Sequence, residues 1–242
     1  MASGTAAAIA AQVDGLRTDL VGLRRDLHRH AETAWTEFRT ASIVAGRLAA
    51  LGFDVSLGRK VMVAGARMGV PAADVIDAAF RRAREEGARA ELLSEMEGGF
   101  TGVVARMTGA RPGPSIAFRF DIDANDVNES REAAHVPARE GFASVHAGAM
   151  HACGHDGHTT IGLGLAAVLA TLRAEWPGTV TLVFQPGEEG VRGARAMVEA
   201  GVVDDASVMV CCHLGAQSRV TGHVIGGISG FLARQVQADD IR

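Results

Sequence analysis

The segment HACGHDGH, residues 151–158, places three histidines, a cysteine and an aspartate within eight positions. Thiol and imidazole side chains so close together are typical of metal ligands. Cys153 and His155 would diverge on a helix, so they can meet at one ion only if Gly154 lies in a turn before the helix begins. We therefore expect a turn at Gly154 and a metal site beside it.

This segment also allows a simpler interpretation. His151, His155 and His158 fall at i, i+4 and i+7, which is the spacing of one helix face. Three buried imidazoles and a thiol would each need hydrogen-bond partners, so the metal interpretation is favoured. Asp156 could cap the following helix or orient a ligating imidazole through a hydrogen bond.

Two adjacent carboxylates follow the apolar run TVTLVF, in the segment QPGEEG. Because adjacent side chains point in different directions, one of Glu188 and Glu189 can bind a metal while the other takes a proton from metal-bound water. Paired surface glutamates are common, so the assignment depends on their position at the end of a strand. The sequence thus predicts a hydrolytic carboxylate pair.

Polar residues end two further apolar runs. His213 follows ASVMVCC; a single histidine there is more often structural, but this is another strand end with a metal-type residue. Asp121 and Asp123 end SIAFRF and either support the ligands or cap a turn, with neither alternative preferred. Cys211 and Cys212 are interpreted as small core residues.

The elements that position these residues follow from hydrophobic periodicity. Apolar residues spaced by three and four predict an amphipathic helix over residues 6–31, in which His28 and His30 are structural or exposed. A helix over residues 37–51, the strand FDVSLG and a helix after Pro71 come next.

From residue 102 onward strands and helices alternate, which predicts an α/β fold with a mostly parallel sheet and helices on both faces. TVTLVF and ASVMVCC are nearly continuous apolar runs, so both are expected to be strands buried on both sides. Sites in such sheets lie beyond the strand ends. The candidate residues should therefore meet at one edge of the sheet.

Composition limits the possible partners. The chain has 242 residues, is 48% hydrophobic and has a net charge of −4, which permits a sizeable core but gives no basic surface for nucleic acid or an anionic membrane. Three cysteines, two of them adjacent, suit a reducing compartment. With no leader-like or membrane-spanning segment apparent, we expect a soluble, cytoplasmic protein.

Taken together, HACGHDGH, QPGEEG and CCHLG resemble the aminoacylase and carboxypeptidase family of two-metal hydrolases, particularly its hippurate hydrolase and indoleacetyl-amino-acid hydrolase branch. The runs DIDANDVNES, PAREGFASVHAGAMHACGHDGHT and GARAMVEAGVVDD are most similar to the p-aminobenzoyl-glutamate hydrolases within it. The likeness covers roughly residues 15–228.

The resemblance implies a zinc-peptidase-like catalytic domain with two divalent ions, zinc or manganese. The residues that match the family's metal ligands are Cys153, His155, Glu189 and His213. Glu188 matches its general base and acid, and Asp123 and Asp156 are candidates to support the ligands. The implied activity is cleavage of N-acyl amino acids, most directly p-aminobenzoyl-glutamate to p-aminobenzoate and glutamate, with hippurate-like conjugates as the alternative.

The family also has a dimerisation domain and a returning catalytic segment that supplies another histidine ligand, and we expect this chain to be truncated before them. Residues 1–228 are then the N-terminal part of the catalytic domain, and residues 229–242 a divergent tail. A non-catalytic metal-binding remnant is the alternative to an active hydrolase. The expected partners are the small substrate and, in the full-length form, a related second subunit or a second copy.

Overall fold

A computed structural model describes residues 2–215. The predicted tail, residues 229–242, lies outside the described residues. Seven helices, two short 3₁₀ turns and five strands make up the described part of the chain. None of the helices between residues 2 and 215 is both long and apolar enough to cross a bilayer.

The predicted opening helices are confirmed as α1 (Ala2–Arg29) and α2 (Phe38–Ala50). In α1 the apolar stripe divides into two parts: Ile9 and Val13 are 41% and 46% exposed, whereas Leu27 is fully buried. Only the C-terminal part of this helix therefore packs in the core.

Five further helices follow, of which the longest begins within the histidine-rich segment. Their bounds are α3 (Ala73–Glu85), α4 (Ala90–Glu95), α5 (Val136–Arg139), α6 (His155–Thr171) and α7 (Ala194–Val198). The helices predicted after Pro71 and after the turn at Gly154 are thus both present.

The five strands form one sheet in the order β1-β2-β4-β3-β5. Their bounds are β1 (Asp54–Leu57), β2 (Val103–Thr108), β3 (Arg111–Asp121), β4 (Pro177–Gln185) and β5 (Val208–Cys211). β2 runs antiparallel to both its neighbours, while β3 is parallel to β4 and β5. The α/β class is confirmed, and the sheet is mixed: four strands point one way, and the short connection after β2 reverses the chain.

Side chains of β4 alternate between two apolar clusters, as the period of a strand requires. Leu182 and Phe184 pack in the larger cluster with residues of α1, α2 and α6, whereas Val183 packs in a smaller cluster with Met197 of α7. Helices therefore lie on both faces of the sheet, with the longer ones on one side.

The two apolar strands differ in burial. β4 is buried over most of its length, as predicted, but Val208, Met209 and Val210 of β5 are 54%, 46% and 42% exposed. Cys211 and Cys212 are also exposed, so their assignment to the core was wrong. The reason is sheet order, because β5 is an edge strand that pairs only with β3 within residues 2–215.

Candidate metal centre

His155 is the residue on which the candidate site converges. It is fully buried at the start of α6, and its Nδ1 donates to the backbone carbonyl of Asp123 at 2.8 Å. Nε2 has no hydrogen-bond partner among the described residues. With Nδ1 engaged, Nε2 presents its lone pair to the site, as a ligating imidazole does.

The turn predicted before this helix is present. Gly154 has a φ of +85°, in the left-handed region, and precedes the helix that begins at His155. Glycine adopts this conformation without the strain that a side chain would introduce. His151 lies before the helix, so the interpretation of three histidines on one helix face was wrong.

Three groups of ligand-type atoms meet at His155. One contains Cys153 and His213, whose Sγ and Nε2 atoms are 3.4 Å apart, a second contains Glu188 and Glu189, and a third contains Asp121 and His158. Within each group of three, including His155, all ligand atoms lie within 4.8 Å of one another. The structure thus brings together the five residues that the sequence singled out.

Both glutamates face the same imidazole. Glu188 Oε2 and Glu189 Oε1 are each 3.7 Å from His155 Nε2, and the two side chains are 24% and 27% exposed. The expectation that adjacent carboxylates point apart therefore does not hold at this turn. Each carboxylate can reach the centre while its second oxygen remains available for another contact.

The donor set and its charge fit a divalent cation. Burial opposes protonation of His155, but the neighbouring side chains of Asp123 and Cys153 and the charge of Asp121 outweigh it and raise the pKa of the imidazole to about 11. Glu189 Oε1 is buried without a partner, like His155 Nε2, and such an orphaned atom costs about 1–3 kcal/mol. A cation between them would satisfy both atoms and balance the surplus negative charge.

The turn that carries the glutamates is fixed by two buried carboxylates. Gly187 N donates to Glu37 Oε1 at 2.9 Å, and the next two amides, of Glu188 and Glu189, donate to the two carboxylate oxygens of Asp123, also at 2.9 Å. Three consecutive backbone amides are therefore held, which sets the direction of both glutamate side chains.

Glu37 is a residue that the sequence analysis missed. Burial raises its pKa to about 8, the charge of Asp123 adds to this effect, and the hydroxyl of Thr101, which donates to Glu37 Oε2 at 2.6 Å, opposes it. It bonds a residue 150 positions away, so neither periodicity nor a local motif indicates the contact.

The indole of Trp35 packs against the turn that carries the two glutamates. It is fully buried with a φ of +69°, and its Nε1 donates to the carbonyl of Met68 at 2.9 Å. A β-carbon placed on Gly187 would lie 3.4 Å from Trp35 Cζ2, so the indole is close beneath the turn. A left-handed backbone at a bulky residue stores strain, which the surrounding packing must outweigh.

Glu188 has the properties of a proton-transfer group. Burial raises the pKa of its carboxyl, as do the charges of Asp121 and Asp123, against the opposing charge of Arg119. A general base works best when its pKa lies near the working pH, so a raised pKa suits Glu188 to accept a proton near neutral pH. Its partial exposure leaves an oxygen open to water or substrate.

Asp156 lies outside the ligand cluster. Its carboxylate bonds His28 Nδ1 and Arg24 Nε, both at 2.8 Å, and the other ring nitrogen of His28 bonds Glu129 at 2.9 Å. His28 is therefore buried and structural, as one of the two sequence alternatives predicted. Asp156 ties the first turn of α6 to α1 and bonds none of the candidate ligands.

A thiol, imidazoles and carboxylates gathered at the carboxyl ends of parallel strands define the class as metallohydrolase-like. Residues 117–229 match the peptidase family M20/M25/M40. Over about 90% of its length the chain is also similar to two bacterial hydrolases. The stretch that matches the family contains all five residues gathered around the candidate metal centre.

Two relatives describe the branch. The chain is 52% identical to indole-3-acetyl-aspartic acid hydrolase of Enterobacter agglomerans over 90% of its length, and 49% identical to a p-aminobenzoyl-glutamate hydrolase subunit of Escherichia coli over 91%. In both cases it spans 50% of the relative. The chain thus corresponds to about half of each hydrolase.

Two solved structures share the fold. An aminobenzoyl-glutamate utilization protein from Klebsiella pneumoniae is 44% identical with a TM-score of 0.71, over 86% of this chain and 46% of that one. A Bacillus subtilis protein described as a dinuclear metal binding peptidase of the M20 family is 32% identical with a TM-score of 0.60, over 84% and 45%. The expectation of a metallopeptidase fold is confirmed.

Proposed function

We propose that this chain carries the metal centre of an amidohydrolase that cleaves N-acyl amino acids, with p-aminobenzoyl-glutamate as the first substrate to test. The observation that carries the proposal is the buried, unpartnered His155 Nε2, with the Cys153–His213 pair and the glutamates around it. The named substrates of the two relatives, an aryl and an indole conjugate of acidic amino acids, support the choice.

The proposed roles follow from chemistry and position. Cys153, His155, Glu189 and His213 hold the metal, for which zinc and manganese are both compatible with mixed sulfur, nitrogen and oxygen donors. When bound, the divalent ions would polarise the amide carbonyl and lower the pKa of water. Glu188 takes a proton from the attacking water and delivers it to the leaving amine nitrogen.

The complete hydrolase is part of the proposal, because the chain spans about half the length of its relatives. The Escherichia coli relative is named as one subunit of its hydrolase, which supports a second, related polypeptide as partner. A second copy of the chain is the alternative partner. Both would bring additional surface to the site.

A metal-binding protein without turnover is the second candidate function. It is supported by the exposed position of His213 and the partial exposure of Cys153 on one side of the site. Such a protein would retain metal affinity without the remaining substrate contacts. The two candidates share the metal site and differ in catalysis.

One preparation distinguishes them. Metal content of the purified chain is measured by elemental analysis, and glutamate release from p-aminobenzoyl-glutamate is followed with added Zn²⁺ or Mn²⁺. We expect Glu188→Gln to abolish turnover and keep the metal, and Glu189→Gln to weaken metal binding. Glu199→Gln, which changes an exposed glutamate on the surface, is the matched control and should change neither.

Each outcome has a defined meaning. Metal together with turnover that depends on Glu188 supports the hydrolase. Metal without turnover supports the second candidate. A chain that binds no metal contradicts the assignment of all four ligands.

A further inference from the structure

His213 needs support from outside its own strand. It follows β5, whose side chains are exposed and which pairs on one side only within the described residues. Its Nδ1 donates to the carbonyl of the adjacent Leu214 at 2.6 Å, which leaves Nε2 to face Cys153. A contact with the following residue cannot locate the imidazole relative to α6.

His158 supplies the missing connection. It is fully buried in α6, one turn after His155, and its Nε2 accepts the backbone amide of Leu214 at 2.7 Å. A backbone amide can only donate, so Nε2 must be unprotonated and the ring proton resides on Nδ1. Nδ1 then donates to Asp121 Oδ1, and both ring nitrogens are used.

The other end of this connection is anchored in the sheet. Asp121 is the last residue of β3, and its second oxygen pairs with the guanidinium of Arg119 at 2.7 Å. The side chain of His158 also contacts the ring of His213 edge to face, with centroids 4.6 Å apart. β3, α6 and the segment after β5 are therefore joined through one imidazole.

A second contact holds the same segment. A β-carbon on Gly157 would overlap Leu214 Cδ1, and one on Gly154 would lie 3.6 Å from the same side chain. Leu214 thus occupies the space that the absence of a side chain at Gly157 provides. Its backbone is bonded by His158 while its side chain rests on the first turn of α6.

From these contacts we infer that His158 is a positioning residue: by accepting the Leu214 amide and donating to Asp121, it sets where His213 presents Nε2 beside Cys153. The inference rests on the proposed metal site and adds to it a residue that the sequence analysis assigned to no role. His158 is not itself a ligand, because ligation would require it to give up one of its two hydrogen bonds.

The test uses two amide variants of similar chemistry and different reach. In His158→Gln the carboxamide oxygen extends to the former position of Nε2 and can accept the Leu214 amide. In His158→Asn it extends only to the position of Nδ1 and cannot. The affinity of each full-length variant for Co²⁺ is measured by chelator competition, with the cysteine-to-cobalt absorption as a second readout.

We expect His158→Asn to weaken Co²⁺ binding by about 10–100-fold, the range typical for residues that orient metal ligands, and His158→Gln to stay within about threefold of the wild type. Gly157→Ala keeps His158 but displaces Leu214, so it should weaken binding as well. The double variant His158→Asn/His213→Ala should bind no more weakly than His213→Ala alone, because both changes remove the same contribution.

Contrary results are equally clear. If the losses of His158→Asn and His213→Ala multiply, or if Gln is as damaging as Asn, His158 acts independently of His213 and the inference fails. If His213→Ala leaves Co²⁺ affinity unchanged while Cys153→Ser lowers it, the inference fails together with the assignment of His213 as a ligand, whereas the rest of the proposed metal site stands.

A metal-free measurement separates the two ideas. Hydrogen exchange of the Leu214 amide, followed by NMR, should be at least about tenfold slower in the wild type and in His158→Gln than in His158→Asn. Equal exchange in all three overturns the inference. If the wild type binds no metal, the proposed function fails and this exchange difference alone decides whether His158 holds the segment.

Discussion

Glu32 and Glu37 are two fully buried carboxylates, five positions apart, that bind different backbone amides. Glu32 accepts from the amides of Arg39 and Thr40 at 3.0 and 2.8 Å in the first turn of α2, while Glu37 accepts from Gly187 at the glutamate-bearing turn. A buried glutamate therefore stabilises the first turn of α2 at position 32 and fixes the turn of the candidate metal centre at position 37.

This pair gives a prediction at the residue scale. Glu37→Ala frees the Gly187 amide and should lower metal affinity by about 10–100-fold, because Glu189 loses its fixed direction. Glu37→Gln keeps an acceptor for the amide, and Thr101 can reorient its hydroxyl, so affinity should stay within about threefold of the wild type. Competition titration with Co²⁺ measures both.

Glu32→Ala is the control for this comparison. It leaves buried amides of α2 unsatisfied and should lower the free energy of unfolding by about 1–3 kcal/mol while the folded protein keeps its metal affinity. Equal losses of metal affinity in the Glu32 and Glu37 variants would show that Glu37 acts only through stability.

At the scale of elements, local patterns identified most helices and strands, but not the contacts between them. α1 and α2 follow from apolar spacing because each helix buries one stripe. The contact between Glu37 and Gly187 depends on how α2 docks against β4, which spacing along the chain does not encode. The exposure of β5 was missed for a similar reason, because an apolar run looks the same at the centre and at the edge of a sheet.

The divided stripe of α1 leads to a prediction for this element. Leu27→Ala opens a cavity in the core and should lower the free energy of unfolding by about 2–5 kcal/mol. Val13→Ala changes the exposed part of the same stripe, and it should alter the free energy of unfolding by no more than about 0.5 kcal/mol. Urea denaturation of both variants measures the difference, and similar losses would contradict the division.

The ion pair between Asp26 of α1 and Arg39 of α2 predicts that the free energy of unfolding depends on pH. A hydrogen bond to His30, together with the guanidinium of Arg39 and against partial burial, lowers the pKa of Asp26 from 3.8 to about 2. Because the folded-state pKa is depressed, this stabilisation is complete above the ordinary pKa and is lost as pH falls through the folded value.

Asp26→Asn should therefore lower the free energy of unfolding by about 1 kcal/mol at pH 6, a value reduced for solvent screening because the carboxylate is partly exposed. The difference from wild type should narrow as pH falls below 4. Urea denaturation at pH 6 and pH 2.5 tests this, with the exposed Asp14→Asn as control. A difference that stays constant with pH would refute the assignment.

At the scale of the whole molecule, the apolar outer edge at β5 is the most consequential surface feature of the described chain. Val208, Met209 and Val210 expose apolar side chains beside backbone groups that β3 does not pair. Edge strands of this kind favour pairing with another strand.

We expect the chain to self-associate through this edge as its concentration rises. Val210→Lys should lower the fraction of dimer and larger species in sedimentation velocity, because a charged side chain disfavours edge-to-edge pairing. Val198→Lys places the same charge on an exposed valine of α7, away from the strand edge, and is the matched control. Equal reduction by both substitutions would point to net charge, and would exclude strand pairing as the cause.

The position of Trp35 also allows intrinsic tryptophan fluorescence to report on the candidate metal centre. The chain contains two tryptophans and no tyrosine, and the second, Trp176, lies just before β4 begins, whereas Trp35 lies beneath the turn that follows the end of β4. A strand of this length separates them by about 30 Å. Replacing Trp176 with phenylalanine would leave a single indole, so emission from Trp35 could follow ordering of the glutamate turn without any attached dye.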